Sequence, residues 1–210
     1  MLLTSATRYG CLLIFGSLFA GCGQRGTTVT SAVATQTLHL GNAAEPATLD
    51  PQIYTMMAEW EILSSLFEGL TNLANDGTTI LPGVAERWDI SPDGLTYTFH
   101  LRRNAKWSNG DPFTAEDYVG SVRRLLNPMV ATTDPNSIDC VVGARDFFEQ
   151  KITDFSAVGV RALTSQTVEF RLAYPAPYFL MLVSNNGNPL GMPVHLSLIH
   201  ISEPTRLRRI

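Results

Sequence analysis

Few residues in the sequence are spaced so that they could carry out covalent or acid–base chemistry. Glu116 and Asp117 form an adjacent pair of carboxylates, and His39, His100 and His195 precede the last fifteen residues. The sequence has no Gly-rich phosphate loop, no Cys-x-x-Cys, no His-Glu-x-x-His and no Gly-x-Ser-x-Gly. A Ser-His-Asp triad stays open, because triads assemble across a fold, but nothing in the spacing favours one.

The Glu116-Asp117 pair is better explained as the start of a helix than as a catalytic dyad. Thr114 is a good N-cap residue, and Asp117 stands three positions later, where a capping box places its acid. Acidic residues in the first helical turn also interact favourably with the helix dipole. Adjacent helical side chains point in different directions, so we expect no shared catalytic site here.

The elements that position these residues are predicted to form a mixed α/β body. Trp60, Leu63, Phe67 and Leu70 recur at helical spacing, which predicts a helix over Glu59–Leu70. Turn chemistry at Ser91–Gly94 separates two strands. The other predictions are a loop with a short helical turn at Leu81–Trp88, strands at Thr37–Gly41, Asp89–Ile90 and Tyr97–Leu101, a helix from Thr114 to Leu126, a hairpin of Val158–Leu163 with Thr167–Leu172, and a helix at Tyr178–Val183.

Length and composition restrict the class of protein. The chain has 210 residues, enough for one large domain or two small ones, and 45% of them are hydrophobic and 16% charged. A net charge of −4 argues against a nucleic-acid partner, which needs a basic face. Three cysteines are too few for a small fold held by disulfides.

The N-terminal residues resemble an export signal. Within Met1–Gly21, the apolar run Cys11–Ala20 is shorter than the about 20 residues that span a bilayer. Cys22 follows small residues as in a bacterial lipobox, so we expect it to carry the lipid; the alternative is an ordinary signal peptide with a free thiol. Residues 22–37 have the composition of a flexible tether. Cys140 then lacks a partner and is expected to be a small buried hydrophobe.

The C-terminal residues resemble something other than a protein domain. Leu196–Arg206 resembles the translation of a transposase-type sequencing adapter residue for residue; Leu207–Arg209 would then be index sequence, and Ile210 would come from the fixed codon that follows. A natural basic tail is the alternative. We expect 196–210 to lie outside the fold and exclude this range from the site predictions.

Several motifs in the remaining chain are similar to those of family 5 of the bacterial extracellular solute-binding proteins, the oligopeptide- and dipeptide-binding proteins of ABC importers. The resemblance covers about Leu38 to His195. It is carried by Glu45–Pro51, Leu66–Leu70, Leu81–Trp88, Ser91–Arg102, Ala105–Pro112, Phe113–Asp117, Gly159–Leu163, Val168–Leu172 and Pro175–Phe179, which have the order and spacing of the family's motifs.

The resemblance implies an α/β fold of the periplasmic-binding-protein type II class, with two lobes that enclose ligand and close about a hinge. Residues 38–67 would form the start of the first lobe with a cleft loop, and 68–193 the second lobe, an inserted small α/β domain. The fold would be incomplete, because family members are more than twice this length. For that reason we expect the chain as written to bind ligand poorly.

The resemblance also implies the function. The expectation is the substrate-binding component of an ABC transporter, not an enzyme, that captures peptides outside the cytoplasmic membrane. The implied partners are a peptide ligand, the transmembrane permease subunits and the membrane through the lipid on Cys22. We expect a periplasmic or cell-surface monomer without a cofactor, metal or nucleic acid. Nickel, haem or oligosaccharide within the family, an exported hydrolase, and a purely structural lipoprotein stay open as alternatives.

The candidate ligand-binding residues follow from position within the resemblance. Ile53–Met57 matches the first-lobe loop that lines the cleft. Tyr54 and Thr55 could hydrogen-bond ligand, and Met56 and Met57 could form an adaptable apolar wall. Packing beneath the first helix is the alternative for Met57. Asn185 matches a cleft position of the second lobe.

Overall fold

The computed structural model describes residues 35–37, 41–42, 44–130 and 138–195. The contacts divide the chain into two units, 1–43 and 44–210, and every element below belongs to the second. The predicted signal segment 1–21, the predicted lipid site Cys22, the predicted tether up to residue 34 and residues 196–210 lie outside the described residues, as do residues 131–137 and most of the predicted first strand.

Short strands and helices alternate along the second unit. The helices are α1 (Met57–Leu66), α2 (Ala115–Leu125), α3 (Ala144–Phe148) and α4 (Phe179–Leu182), with 3-10 turns at Phe155–Ala157 and Pro189–Gly191. The strands are β1 (Thr71–Leu73), β2 (Ile80–Pro82), β3 (Ala85–Ile90), β4 (Thr96–Leu101), β5 (Val160–Thr164) and β6 (Thr167–Arg171).

The larger of the two sheets is antiparallel throughout, with strand order β3-β4-β6-β5, and β1 and β2 form a separate hairpin. Strand β4 buries alternate side chains, as predicted, with Tyr97, Phe99 and Leu101 on the inner face. Phe99 and Phe170 meet edge to face with centroids 6.0 Å apart. Together with Tyr118 on α2 and Phe179 on α4, they form a buried aromatic group that we call the sheet core.

The predicted start of α2 is confirmed. The Asp117 amide donates to Thr114 Oγ1 at 3.3 Å, and the Thr114 amide donates to Asp117 Oδ2 at 2.9 Å. The two residues thus satisfy each other's amide groups in a capping box. The predicted β5–β6 hairpin is also confirmed. Cys140 is buried and unbridged, as expected, and burial raises the pKa of its thiol to about 11.

The prediction of a loop with a helical turn at Leu81–Trp88 is wrong. Leu81 and Pro82 belong to β2 and Ala85–Trp88 to β3, and only Gly83 and Val84 between them form a bend. The Val84 amide donates to the Gly69 carbonyl at 2.9 Å, and a side chain at Gly83 would lie 2.4 Å from that same carbonyl oxygen. The close backbone pairing is made with a segment more than ten residues away, and it replaces the local turn.

The first helix begins and ends earlier than the sequence predicts. It covers Met57–Leu66 rather than Glu59–Leu70, and the chain is extended at Phe67. Gly69 then packs so closely on the segment after α4 that an added Cβ would lie 2.6 Å from the Val183 carbonyl oxygen. A bridge between Thr71 and Ser184 continues this contact. Tertiary pairing therefore ends the helix at Leu66, although the apolar spacing continues to Leu70.

Membrane-spanning helices and metal-binding clusters are both absent from the described residues. None of the helices there is long and apolar enough to cross a membrane. Within the same residues, no group of three or more His, Cys, Asp or Glu side chains is placed to hold a metal ion.

Candidate functional site

A shallow pocket of about 310 Å³ lies beside the start of α1. Its lining consists of Tyr54, Thr55, Met56, Met57, Trp60 and Gly187. The first four are residues that the sequence predicts as ligand-binding, and the structure brings them together around one space. Trp60 and Gly187 join them from α1 and from the segment after α4.

Residues 47–56, which we call the pocket loop, contain no helix or strand, and a buried carboxylate holds their backbone in place. Glu59 is only 1% exposed. Its Oε1 accepts hydrogen bonds from the amides of Ala47 and Thr48 at 2.9 and 3.2 Å. Its Oε2 accepts from the amides of Thr55 and Met56 at 2.9 and 3.1 Å. One side chain therefore fixes the beginning and the end of the pocket loop.

The environment of Glu59 keeps its carboxyl group ionised. The hydrogen bond from the Thr55 amide is the largest influence and lowers the pKa of Glu59, while burial acts in the opposite direction. The amides of Met56, Ala47 and Thr48 lower the pKa further, and the net result is a pKa below the ordinary value. The negative charge is thus directed at backbone N–H groups behind the pocket.

A second polar group ties the middle of the pocket loop to α2. The Arg124 guanidinium donates to both carboxylate oxygens of Asp50, at 3.1 and 2.5 Å, and to Gln52 Oε1 at 2.6 Å. Gln52 Nε2 donates in turn to the Ser121 carbonyl at 2.9 Å and to its hydroxyl at 3.1 Å. Because Gln52 is fully buried, its amide needs these partners. Asp50, Gln52 and Arg124 therefore anchor the loop from its other side.

The floor of the pocket is made by a contact that only glycine allows. Gly187 has a positive φ of 79°, and an added Cβ would lie 3.1 Å from Trp60 Nε1. The Tyr54 hydroxyl donates to the Gly187 carbonyl at 2.5 Å. Burial raises the pKa of Tyr54, so the phenol stays protonated and able to donate at neutral pH. The three residues join the pocket loop, α1 and the segment after α4.

The two methionines form the open side of the pocket. Met56 is 59% exposed and Met57 is 66% exposed. Both side chains line the pocket, and the choice between ligand contact and packing for Met57 stays a prediction. Their thioether side chains are flexible and polarisable, so they can adapt to ligands of different shape.

Asn185 lies apart from the other predicted binding residues. Its Nδ2 donates to the carbonyl oxygens of Ser64 and Phe67, at 3.2 and 3.1 Å. These carbonyls belong to the last turn of α1, where backbone acceptors lack helical partners. Asn185 is absent from the pocket lining. Its contact with ligand stays a prediction, as does the lipid on Cys22, which is outside the described part of the chain.

The pocket lining is suited to binding rather than to acid–base chemistry. None of its six residues carries a formal charge, and the Tyr54 phenol is its single titratable group. Sequence reasoning missed Glu59, Gln52 and Arg124, which hold the pocket loop, and favoured packing over ligand contact for Trp60. Glu59 could have been recognised as the acid three residues after the cap of a helix that begins at Met57, but the helix was predicted to begin at Glu59 itself.

Comparison with known proteins relates this chain to one protein family. Residues 79–193 match the family described as "Bacterial extracellular solute-binding proteins, family 5 Middle". The chain is 37% identical over 158 residues to the dipeptide-binding protein DppE of Bacillus subtilis (strain 168), covering 75% of this chain and 28% of that protein. It is 40% identical over 152 residues to the periplasmic oligopeptide-binding protein OppA of Escherichia coli (strain K12), covering 70% and 27%.

Solved structures agree with these similarities. Haemophilus influenzae OppA in complex with the peptide RPPGFSPFR superposes with a TM-score of 0.69 at 34% identity, over 76% of this chain and 30% of that one. An oligopeptide ABC transporter substrate-binding domain from Bacillus anthracis gives a TM-score of 0.71 at 32% identity, over 79% and 31%. The chain thus spans less than a third of the length of these relatives and shares the fold of that part, which confirms the expected α/β class and its incomplete coverage.

Proposed function

Because the chain belongs to the bacterial extracellular solute-binding proteins of family 5, we propose that it acts in the substrate-binding component of an ABC importer. It captures peptides outside the cytoplasmic membrane and delivers them, as a monomer, to the transmembrane permease subunits. Members of this family are binding proteins, so we assign no catalytic step to the chain. Its proposed role is to bind and release peptides rather than to cleave them.

The observation that carries the proposal is that the consecutive residues Tyr54–Met57 line one pocket together with Trp60 and Gly187. The volume of about 310 Å³ is at the small end of ligand sites, which measure about 300–1,000 Å³. Related OppA proteins of Haemophilus influenzae and Listeria monocytogenes have been crystallised with peptides. A pocket of this size suits one or two residues of a peptide whose backbone is held by hydrogen bonds elsewhere.

Calorimetry with tri- to pentapeptides tests the proposal on the whole product of the gene. We expect saturable binding of peptides and much weaker binding of free amino acids. Thr55→Trp fills the pocket from an exposed position and should weaken peptide binding, whereas the matched variant Thr78→Trp, on the exposed β1–β2 turn, should not. A protein that is folded by circular dichroism and binds none of the peptides would contradict the proposal.

A second candidate ligand is an amphipathic molecule of the bile-acid type. The chain is 32% identical over 157 residues to the probable deoxycholate-binding periplasmic protein YgiS of Escherichia coli (strain K12), covering 71% of this chain and 28% of that one. The uncharged lining of the pocket is compatible with such a ligand. Deoxycholate added to the calorimetry as a competitor separates the two candidates: binding of deoxycholate without binding of peptide would favour the second.

We further propose that the protein is exported and anchored by a lipid on Cys22, in the periplasm or at the cell surface. The support is the apolar run Cys11–Ala20 followed by small residues and Cys22. Acyl chains contribute about 0.8 kcal/mol per buried methylene, so two or three of them give firm anchoring. Cys22→Ser is expected to release the protein from membranes in cell fractionation, and Cys140→Ser is the matched control. Retained membrane association of Cys22→Ser would contradict the anchor.

A further inference from the structure

We infer that the pocket selects a ligand residue with an uncharged, apolar side chain, and that Met56 and Met57 determine this preference. The inference rests on the proposed function, since it assumes that the pocket receives part of a peptide. It assigns a substrate class to the site, namely peptides with a leucine-, methionine- or phenylalanine-like residue at the position that enters the pocket.

The fixed side of the pocket offers no group that would attract a charge. Tyr54 already donates its hydroxyl hydrogen to the Gly187 carbonyl, and Trp60 packs against the backbone of Gly187. The Trp60 indole nitrogen has no hydrogen-bond partner among the described residues, but protein atoms enclose it, so it is not open to a ligand. These groups are held against each other by close contacts, so this side presents mainly the faces and edges of two aromatic rings to a ligand.

The adaptable side of the pocket gains from contact with an apolar group. Met56 and Met57 expose more than half of their surface to water. A ligand side chain that covers them removes apolar surface on both partners, and the free energy gained is proportional to that area. Unbranched thioether side chains adjust to aliphatic and aromatic shapes alike. The preference is therefore for apolar character rather than for one particular residue.

An acidic side chain is disfavoured by the polar groups behind the loop. The amides of Thr55 and Met56, which could otherwise bind an anion, already donate to Glu59. Glu59 is ionised and lies in the first turn of α1, directly behind these amides, and no lining residue is cationic. The nearby guanidinium of Arg124 is engaged by Asp50 and Gln52. A ligand carboxylate would lose hydration in this pocket and would gain no cationic partner; the Thr55 hydroxyl is the one lining side-chain donor open to it, which is too little to offset the loss.

A series of tripeptides tests the inference with the whole product of the gene. Alanine tripeptides carrying Leu, Phe, Met, Ser, Lys or Asp at each position in turn are titrated by calorimetry. At the position that enters the pocket, we expect Leu, Phe and Met to bind at least about tenfold more tightly than Asp. In the double variant Met56→Ser, Met57→Ser, this ratio should fall to about threefold or less, because the adaptable wall has been removed.

Two control variants identify the cause of any change. Met56→Leu with Met57→Leu keeps an apolar wall of similar volume and should keep the preference. Met129→Ser changes a methionine that is 85% exposed but is absent from the pocket lining, and should bind like the wild type. All three sites are exposed, so circular dichroism should show folded proteins.

The outcomes separate this inference from the function on which it rests. Peptides that bind with equal affinity whatever their side chains, or a Ser double variant that keeps the wild-type preference, would overturn the inference and leave the proposed function standing. A wild-type protein that is folded but binds no peptide in the series would overturn both.

Discussion

The sheet core and the pocket loop are held together by opposite means. The sheet core consists of aromatic side chains packed in contact, such as Phe99 against Phe170 and Phe179. The pocket loop has almost no apolar interior and is held by the buried carboxylate of Glu59 and by the Asp50–Arg124 pair with Gln52. The sheet core is stabilised by burial of apolar surface, and the pocket loop by hydrogen bonds to its backbone and side chains.

The difference shows how a binding surface can be irregular and still well placed. A strand or helix satisfies its own amide groups, but a loop of this shape must find other acceptors. Four amides of the pocket loop, including that of Met56 at the cap of α1, donate to the carboxylate of Glu59. The loop can therefore turn its exposed side chains towards a ligand while the body of the domain supplies most of the stability.

The largest effect is expected in the sheet core. Phe99 lies on β4, the strand between β3 and β6, and its side chain is completely buried. It contacts the rings of Trp88 on β3 and Phe170 on β6. Phe99→Ala should lower the free energy of unfolding in urea by about 3–5 kcal/mol, because it removes apolar contacts and leaves a cavity. Leu163→Ala, at an exposed position on β5, should change it by less than about 0.5 kcal/mol. A loss below about 1 kcal/mol for Phe99→Ala would show that the aromatic group does not dominate stability.

A smaller but more localised effect is expected for the carboxylate behind the pocket loop. Glu59→Gln keeps the shape of the side chain but replaces one acceptor oxygen by an NH₂ group facing two amide donors. We expect a loss of about 2–3 kcal/mol and faster hydrogen exchange at the amides of Thr55 and Met56 or of Ala47 and Thr48.

The control for this variant is Glu61→Gln, which changes an exposed acid on the same helix and should leave exchange unchanged. Peptide affinity should fall in Glu59→Gln more than in Glu61→Gln, since the loop carries the binding residues. Unchanged exchange of the loop amides in Glu59→Gln would mean that the carboxylate does not position the loop.

The ion pair on the other side of the loop should contribute less. Arg124→Met leaves Asp50 and Gln52 without their partner, but Asp50 is partly exposed and can regain water. We expect a loss of about 1–2 kcal/mol together with weaker peptide binding. Arg161→Met breaks the exposed pair with Glu169 on the sheet and should cost about 0–1 kcal/mol without an effect on binding. Equal losses of stability in the two variants would indicate that the largely buried Arg124 pair contributes no more than the exposed Arg161 pair.

The smallest effect concerns pH. The folded-state pKa of Glu59 is lowered, so its stabilising contribution is fully present above the pKa of the unfolded chain and is lost as pH falls through the folded value. The stability difference between wild type and Glu59→Gln, measured in urea, should therefore be the same at pH 7 and pH 6 and shrink only in the acid range. A difference that shrinks between pH 7 and pH 6 would show a raised pKa instead.

Sequence-based prediction succeeded where the determining contacts are local. The capping box of Thr114 and Asp117 spans three residues, and the β5–β6 hairpin has its turn residues between the strands. It failed at Leu81–Trp88, where the amides of Gly83 and Val84 donate to the carbonyls of Leu70 and Gly69, and nothing within the motif indicates those partners.

The candidate site shows the same division between local and distant contacts. The loop with Tyr54, Thr55, Met56 and Met57 was found from its resemblance to a family, and the structure gathers those residues at one pocket. The groups that hold the loop were not found, because Arg124 and Asp50 are 74 residues apart. Periodicity and spacing cannot report a contact over that distance, which depends on how α2 packs in three dimensions.

The most direct measurement is a titration of the protein with peptide, observed through ¹³C-labelled methionine methyl groups by NMR. The chain has six methionines, and single Met→Leu variants assign their signals. Saturable shifts of Met56 and Met57, with Met129 unmoved, are the predicted result, because only the first two line the pocket. Peptide binding that leaves Met56 and Met57 unchanged would contradict the placement of the ligand site at this loop.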